Sequence, residues 1–83
     1  MPVTTKTVKV YSIDTCPYCA MLKNFLREHN ISFEDVNVGD DPKAAEEMIQ
    51  KSGQMGVPVS DIDGKIIVGF DKEAIAEALG IKL

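Results

Sequence analysis

Hydrophobic and polar residues follow two different periods along the chain, and these periods divide it into strands and helices. Strands are predicted over residues 7–13, 31–38, 57–62 and 65–68, and the first is the clearest because Val8 and Val10 alternate with polar neighbours. Apolar residues at helical spacing predict helices over 17–29, from 41 to 52 and from 71 to 79. The predicted order is therefore βαβ, α, ββ, α.

Each predicted helix combines an apolar stripe with residue types that suit its ends. The stripes are Leu22, Phe25 and Leu26, then Ala45, Met48 and Ile49, and finally Ile75, Ala78 and Leu79. Pro42 and Asp71 suit helix starts. Asn30, Gly53 and Gly80 tolerate the left-handed backbone that often ends a helix.

The strands are expected to form one four-stranded mixed sheet flanked by three helices, an α/β architecture. The first two strands are joined by a helix, and such a crossover is right-handed and makes them parallel. Polar residues Glu34, Asp35 and Asn37 interrupt the second strand, which places it at a sheet edge. Asp63-Gly64 is the strongest short signal for a hairpin between the last two strands.

Length and charge limit the classes of protein to which the chain can belong. Its 83 residues suffice for a single domain with a modest core, and residues 1–5 are expected to be a loose tail. A net charge of −4 argues against a nucleic-acid binder, and Glu46 and Glu47 are interpreted as a solvated helix face. No apolar run approaches a membrane span, and the first six residues lack a signal peptide's apolar stretch. We expect a cytoplasmic protein.

The chain's two cysteines, Cys16 and Cys19, stand three residues apart just after the first predicted strand. One helical turn brings such positions onto the same face, so their thiols can form and open a disulfide with little backbone movement. Pro17 suits the first helical position and so places Cys16 at or beside the helix N-terminus, where unpaired amides and the helix dipole favour a thiolate. This end of the first strand is where active sites of α/β proteins lie. We expect Cys16 to attack and the less exposed Cys19 to resolve.

Two other interpretations of the cysteine pair fit less well. A zinc site normally has four ligands, and the remaining soft or imidazole candidate, His29, falls near the far end of the same predicted helix. A structural disulfide that encloses two residues restrains the unfolded chain little. In a reducing cytoplasm a Cys-x-x-Cys pair is more often catalytic than structural. Redox chemistry without a bound metal is therefore the preferred hypothesis.

Three motifs at characteristic intervals extend this hypothesis: Cys16-Pro17-Tyr18-Cys19, Val57-Pro58 and Gly69-Phe70-Asp71. Together they resemble the glutaredoxins of the thioredoxin superfamily, and the resemblance covers residues 7–79. It implies a thioredoxin-like fold and a cis peptide bond before Pro58, close to the cysteines. Taken alone, Val57-Pro58 also fits an ordinary strand start.

The resemblance also implies a set of substrate-binding residues. They are Tyr18, Gln54, Val57, Pro58, Gly69, Asp71 and Lys72. In the family the residue matching Val57 pairs its backbone with the cysteine-glycine part of glutathione, as an added strand would. Asp71 and the backbone of Lys72 match positions that hold the γ-glutamyl end, although Asp71 is equally suited to a plain helix cap. Gln54 matches a contact to the glycine carboxylate, and it is also an ordinary polar loop residue.

The chain departs from the usual family pattern at two places. Many glutaredoxins have a lysine three residues before the first cysteine, whereas this chain has Ile13 there, followed by Asp14. The usual Gly-Gly pair before the aspartate is Val68-Gly69. Both departures are similar to those of glutaredoxin-like proteins that behave like thioredoxin, take electrons from a flavoprotein reductase and in some cases serve ribonucleotide reductase.

The sequence therefore predicts a monomeric thiol-disulfide oxidoreductase that reduces protein disulfides and glutathione mixed disulfides, with glutathione as reductant or co-substrate and no bound cofactor. A donor that depends on thioredoxin reductase and serves ribonucleotide reductase is the first alternative. A carrier of an iron-sulfur cluster, held by Cys16 and two glutathiones in a dimer, is less favoured because of Pro17 and the second cysteine.

Overall fold

The computed structural model describes residues 7–81, so the predicted loose tail at residues 1–5 lies outside the described residues. Between residues 7 and 81, three helices and four strands follow one another in the predicted order. They are β1 (Val8–Ser12), α1 (Pro17–Glu28), β2 (Glu34–Asn37), α2 (Pro42–Ser52), β3 (Val59–Ile62), β4 (Lys65–Val68) and α3 (Lys72–Leu79). None of these helices is long and apolar enough to cross a membrane.

The four strands form one mixed sheet in the order β2-β1-β3-β4. β1 lies in the interior of the sheet, parallel to β2 and antiparallel to β3, and Tyr11 is in register with Val36 on one side and Val59 on the other. β3 and β4 form the antiparallel hairpin, with Val59 opposite Val68. The predicted thioredoxin-like α/β fold, with a four-stranded mixed sheet and three helices, is confirmed.

Backbone geometry at two turns explains why the local sequence signals were reliable. Asp63 and Gly64 both have positive φ, at 52° and 95°, as the tight hairpin turn between β3 and β4 requires. Asn30, which follows the C-cap residue His29 of α1, has a φ of 59° and reverses the chain. The predicted second strand begins three residues late, at Glu34, because Ile31 and Phe33 pack against the core from the connecting segment without joining the sheet.

The sheet separates two apolar layers. On one face α1 and α3 cover the larger layer, which includes Val10, Leu22, Leu26 and Ile75. On the other face α2 contributes Met48, which packs with Tyr11 and Val59.

The second and third predicted helix stripes are confirmed only in part. In α2, Met48 is buried, whereas Ala45 and Ile49 are partly buried. In α3, Leu79 at the helix end is partly buried, whereas Ala76, which the prediction left out, is buried.

A charged network joins α2 to the sheet, and it corrects the interpretation of Glu47 as a solvated residue. Tyr11 is 0% exposed, and its hydroxyl donates a hydrogen bond to the Glu47 carboxylate while accepting one of 2.9 Å from Lys51. Lys9 donates to the same carboxylate at 2.8 Å, and Lys51 also binds Asp61 at 2.6 Å. Glu47 turns inward because the buried phenol needs a polar partner at this position.

These contacts set the protonation of the network. Hydrogen bonds from Lys9 and Tyr11 lower the pKa of Glu47 to about 2. The hydrogen bond to Glu47 raises the pKa of Lys9, and bonds to Asp61 and Tyr11 raise that of Lys51. Glu47, Lys9 and Lys51 are therefore charged at neutral pH.

We predict that Glu47→Gln lowers the free energy of unfolding at pH 7 by about 1 kcal/mol. This loss of stability is smaller than the lowered pKa of Glu47 alone would suggest, because the side chain is 42% exposed and solvent screens its charge. The folded-state pKa is lowered, so the carboxylate stabilises the fold above its ordinary pKa of 4.5, and this contribution is lost as the pH falls towards about 2.

The measurement is urea unfolding of both proteins at pH 7 and at pH 3. The matched control is Glu46→Gln, since Glu46 is exposed and its carboxylate accepts a long hydrogen bond of 3.5 Å from Gln50. This control should change the free energy of unfolding by less than about 0.5 kcal/mol. Equal effects of the two substitutions, or a Glu47→Gln deficit that grows at pH 3, would contradict the role assigned to Glu47.

Candidate active site

Cys16 occupies the N-cap of α1, as the proline directly after it predicted. Its backbone is extended, with φ −95° and ψ 113°, and Pro17 is the first helical residue. The Cys16 Sγ accepts a hydrogen bond of 3.2 Å from the backbone amide of Cys19. The sulfur thus takes the place of the oxygen that caps most helices, and the amide of Cys19, at the positive end of α1, points towards it.

The two thiols lie in different surroundings although one helical turn separates them. Cys16 is partly exposed, whereas Cys19 is 1% exposed, and neither is in a disulfide. Burial, together with a hydrogen bond to Cys16, raises the pKa of the Cys19 thiol to about 11. At neutral pH Cys19 therefore keeps its proton, while Cys16 can be reached from solvent.

The predicted cis peptide bond between Val57 and Pro58 is confirmed. It lies next to Cys16, because the carbonyl oxygen of Val57 is 4.0 Å from the Cys16 Sγ. Pro58 is buried, and its carbonyl oxygen accepts a 2.8 Å hydrogen bond from the amide of Gly69. The segment before β3 is thus held between the N-terminus of α1 and the end of β4.

Gly69 and Asp71 lie in the segment between β4 and α3, which contacts Pro58 through the amide of Gly69. Gly69 has a φ of 81°, which directs the chain from β4 towards α3 and which a residue with a side chain rarely adopts. Asp71 caps α3 with a 3.1 Å bond from the amide of Ala74 to its carboxylate, and Lys72 is the first helical residue. The carboxylate is exposed, so the cap leaves room for a ligand at this helix terminus.

The other predicted substrate residues lie at the surface. Tyr18 is exposed between the cysteines. The Gln54 side chain is engaged within its own loop, donating 2.9 Å to the carbonyl of Gly56 and accepting 2.6 Å from the amide of Gly56. A contact between the Gln54 side chain and the carboxylate of a substrate would require these bonds to Gly56 to open. The role of Gln54 in substrate binding stays a prediction.

Sequence reasoning missed one group of side chains next to the cysteines. Lys23, on α1, donates a 2.9 Å hydrogen bond to Asp35 of β2, and the buried Ser12 donates to the same carboxylate at 3.0 Å. Burial alone would raise the pKa of Asp35, but the bonds from Lys23 and Ser12 outweigh it and lower that pKa. The spacing of Lys23 four residues after Cys19 was the available signal.

Metal ligands do not converge in the described part of the chain. Between residues 7 and 81 no three side chains of His, Cys, Asp or Glu lie close enough to hold a metal ion. His29 caps the far end of α1, and its ring packs on Phe25 with 4.6 Å between ring centroids. The cysteines, and not His29, are the residues with reactive side chains at this site.

Comparison with protein families and curated sequences gives consistent matches. The family model for glutaredoxin matches residues 8–67. A glutaredoxin-like 8.6 kDa protein in the rubredoxin operon of Clostridium pasteurianum is 56% identical over 68 residues, which cover 82% of this chain and 91% of that protein. Glutaredoxin 3 of Escherichia coli strain K12 is 36% identical over 73 residues, covering 88% of each chain.

Solved structures show the same similarity. A mutant of the thioredoxin-like protein BC3987 has a TM-score of 0.87 and 29% identity, covering 92% of this chain and 97% of its own. The glutaredoxin-like protein NrdH-redoxin from Escherichia coli, described as having a thioredoxin-like activity profile, has a TM-score of 0.78 and 25% identity. Its match covers 86% of this chain and 92% of the other.

We predict that Asp71→Ala lowers the free energy of unfolding by about 1 kcal/mol, because α3 loses its capping acceptor. Asp71→Ser, which keeps a capping oxygen but removes the charge, should retain most of that stability. Thermal and urea unfolding of the two variants would test the expectation. A serine variant as unstable as the alanine variant would show that the carboxylate contributes through some interaction other than capping.

Proposed function

Because the chain belongs to the glutaredoxin family, we propose that it reduces protein disulfides and glutathione mixed disulfides through the dithiol of Cys16 and Cys19. The thiolate of Cys16 attacks a substrate disulfide and forms a mixed disulfide. Cys19 then displaces the second product thiol, which leaves Cys16 and Cys19 joined as a disulfide and the substrate reduced. An electron donor returns the pair to its dithiol form.

The observation that carries this proposal is the difference between the two sulfurs. Cys16 is accessible and lies at a helix N-terminus, the position that favours attack by a thiolate. Cys19 is buried with a raised pKa, so it remains protonated until a mixed disulfide forms beside it. The 3.2 Å bond from the Cys19 amide to the Cys16 Sγ keeps the two residues close enough for the second step.

Two features support glutathione as co-substrate. The backbone of Val57 lies beside Cys16, where an extended peptide can be added to the start of β3. The N-terminus of α3, with an exposed Asp71 side chain and the amides of its first turn, suits a ligand that carries both an amino group and a carboxylate. The γ-glutamyl end of glutathione has these two groups.

A second candidate function is electron transfer from thioredoxin reductase to an enzyme such as ribonucleotide reductase. The similarity to NrdH-redoxin favours it, as does Ile13 at the position where many glutaredoxins have lysine. The two candidates share the same dithiol chemistry and differ in the electron donor. Assays with glutathione and glutathione reductase, run beside assays with thioredoxin reductase, distinguish them directly.

We predict that Cys16→Ser abolishes reduction of every disulfide substrate, since the chain then lacks the accessible sulfur. Cys19→Ser should stop reduction of insulin disulfides but retain turnover of a glutathione mixed disulfide, which needs only the attacking sulfur. Steady-state assays of both variants with both substrates provide the measurement. Activity in Cys16→Ser together with none in Cys19→Ser would reverse the assigned roles.

We predict that Ile13→Lys raises kcat/KM for a glutathione mixed disulfide about three- to tenfold, equivalent to about 0.7–1.4 kcal/mol, because it places a cation beside the site of an anionic substrate. Stability should change little, since Ile13 is only partly buried. Ile13→Gln is the uncharged control. No gain in Ile13→Lys over Ile13→Gln would argue against glutathione binding next to this residue.

A further inference from the structure

The resolving step makes a demand on Cys19 that its burial opposes. To displace the product thiol, Cys19 has to lose its proton and react as a thiolate. The side chain is 1% exposed, so water stabilises that negative charge poorly. A positive group fixed near the sulfur would offset the loss of hydration.

Lys23 is such a group. It follows Cys19 by one turn of α1, so both side chains lie on the same helix face. The Lys23 side chain is only 16% exposed, far less than is usual for a lysine, and its ammonium group is bound to Asp35 at 2.9 Å. The Asp35 carboxylate is fixed in turn by the 3.0 Å bond from buried Ser12. The ammonium is thus held between α1 and β2, on the same face of α1 as Cys19.

We infer that Lys23 is a positioning residue for the second step of the reaction, where its ammonium group, oriented by Asp35 and Ser12, stabilises the thiolate of Cys19. The inference rests on the proposed function, because it concerns resolution of the mixed disulfide. The positive charge of Lys23 already opposes the burial of Cys19 by lowering the pKa of that thiol.

Cys19 loses a proton, and its thiolate attacks the Cys16 sulfur of the mixed disulfide between Cys16 and a product thiol. The bond between the Cys16 and Cys19 sulfurs forms as the bond from Cys16 to the product sulfur breaks. The two cysteines are oxidised by two electrons, the substrate disulfide is reduced, and the product thiolate leaves with a proton. Lys23 keeps its own proton throughout.

Some of the other groups around Cys19 raise the pKa of its thiol and others lower it. On α1, Cys16 raises the pKa of Cys19 both by hydrogen bonding and by its charge. From the segment after β1, the backbone of Ile13 lowers it by hydrogen bonding. From β2, Asp35 acts through its pairing with Lys23. The charged residues of α3, on the same side of the sheet, are all exposed: Lys72, Glu73 and Glu77.

A purely structural ion pair between α1 and β2 is the competing explanation. Asp35 is 45% exposed, and ion pairs with an exposed partner contribute little to stability. A structural role predicts that removal of Lys23 affects unfolding and leaves the chemistry of Cys19 unchanged. A positioning role predicts a change in the second chemical step alone, with recovery when a charge is restored.

A stopped-flow experiment with one equivalent of 5,5′-dithiobis(2-nitrobenzoate) separates the two steps in one trace. The first release of the coloured thiolate reports attack by Cys16, and the second reports displacement by Cys19. For Lys23→Met we expect an unchanged first rate and a second rate about two- to fourfold slower. A rise of about 0.5–1 unit in the pKa of Cys19 lowers the thiolate fraction about three- to tenfold, and the higher nucleophilicity of the remaining thiolate offsets part of that loss. Lys23→Arg should recover most of the second rate.

The matched control is Lys43→Met, since Lys43 is exposed on α2, away from the cysteines, and neither rate should change. Between pH 6 and 9 the second rate should rise with pH in every variant, and Lys23→Met should lie below the wild type throughout. As an independent measurement, the Cβ resonance of labelled Cys19 in a Cys16→Ser background should titrate at higher pH when Lys23→Met is added.

Each outcome decides between the hypotheses. A wild type without two successive releases refutes the proposed dithiol function itself. A normal wild type with an unchanged second rate in Lys23→Met, or an equal slowing in Lys23→Arg, overturns the role of Lys23 and leaves the proposed function intact. If thermal unfolding shows that Lys23→Met does not fold, Lys23→Gln is measured by the same two methods.

Discussion

The pairing of β1 with a strand on each side is the constraint on which the site depends. A strand held by two neighbours cannot shift by one residue without moving every side chain to the opposite face of the sheet. The antiparallel register sets Tyr11 opposite Val59, so the end of β1 lies beside the start of β3. Cys16 follows β1 and Val57 precedes β3, and this register brings them together.

The sequence predicted the elements and the turns well because their signals are local. A capping residue, a proline or an Asp-Gly pair acts within a few positions, and the helices, the hairpin and the placement of Cys16 all rest on such signals. The beginning of β2 was less predictable, since Ile31 and Phe33 contribute to the core as strand residues would but lie outside the sheet.

Contacts between distant polar side chains could not be predicted from periodicity. Glu47 resembles its exposed neighbour Glu46 in sequence, yet it meets Tyr11 across 36 residues and Lys9 across 38. The link between Lys23 and Asp35 likewise depends on how α1 lies over the sheet. The spacing of the cysteines indicated which sulfur would be more exposed. How strongly burial raises the pKa of Cys19 could not be predicted, because it depends on how the side chains pack around that sulfur.

The composition of β2 also affects how the protein behaves at high concentration. β2 is the outer strand on one side of the sheet, so backbone groups along its free side are a template for another chain. The strand is only four residues long, and two of these, Glu34 and Asp35, carry exposed carboxylates. A second copy added here in antiparallel orientation would bring four carboxylates close together. The strand thus resists edge-to-edge growth of the sheet into aggregates through its own charge.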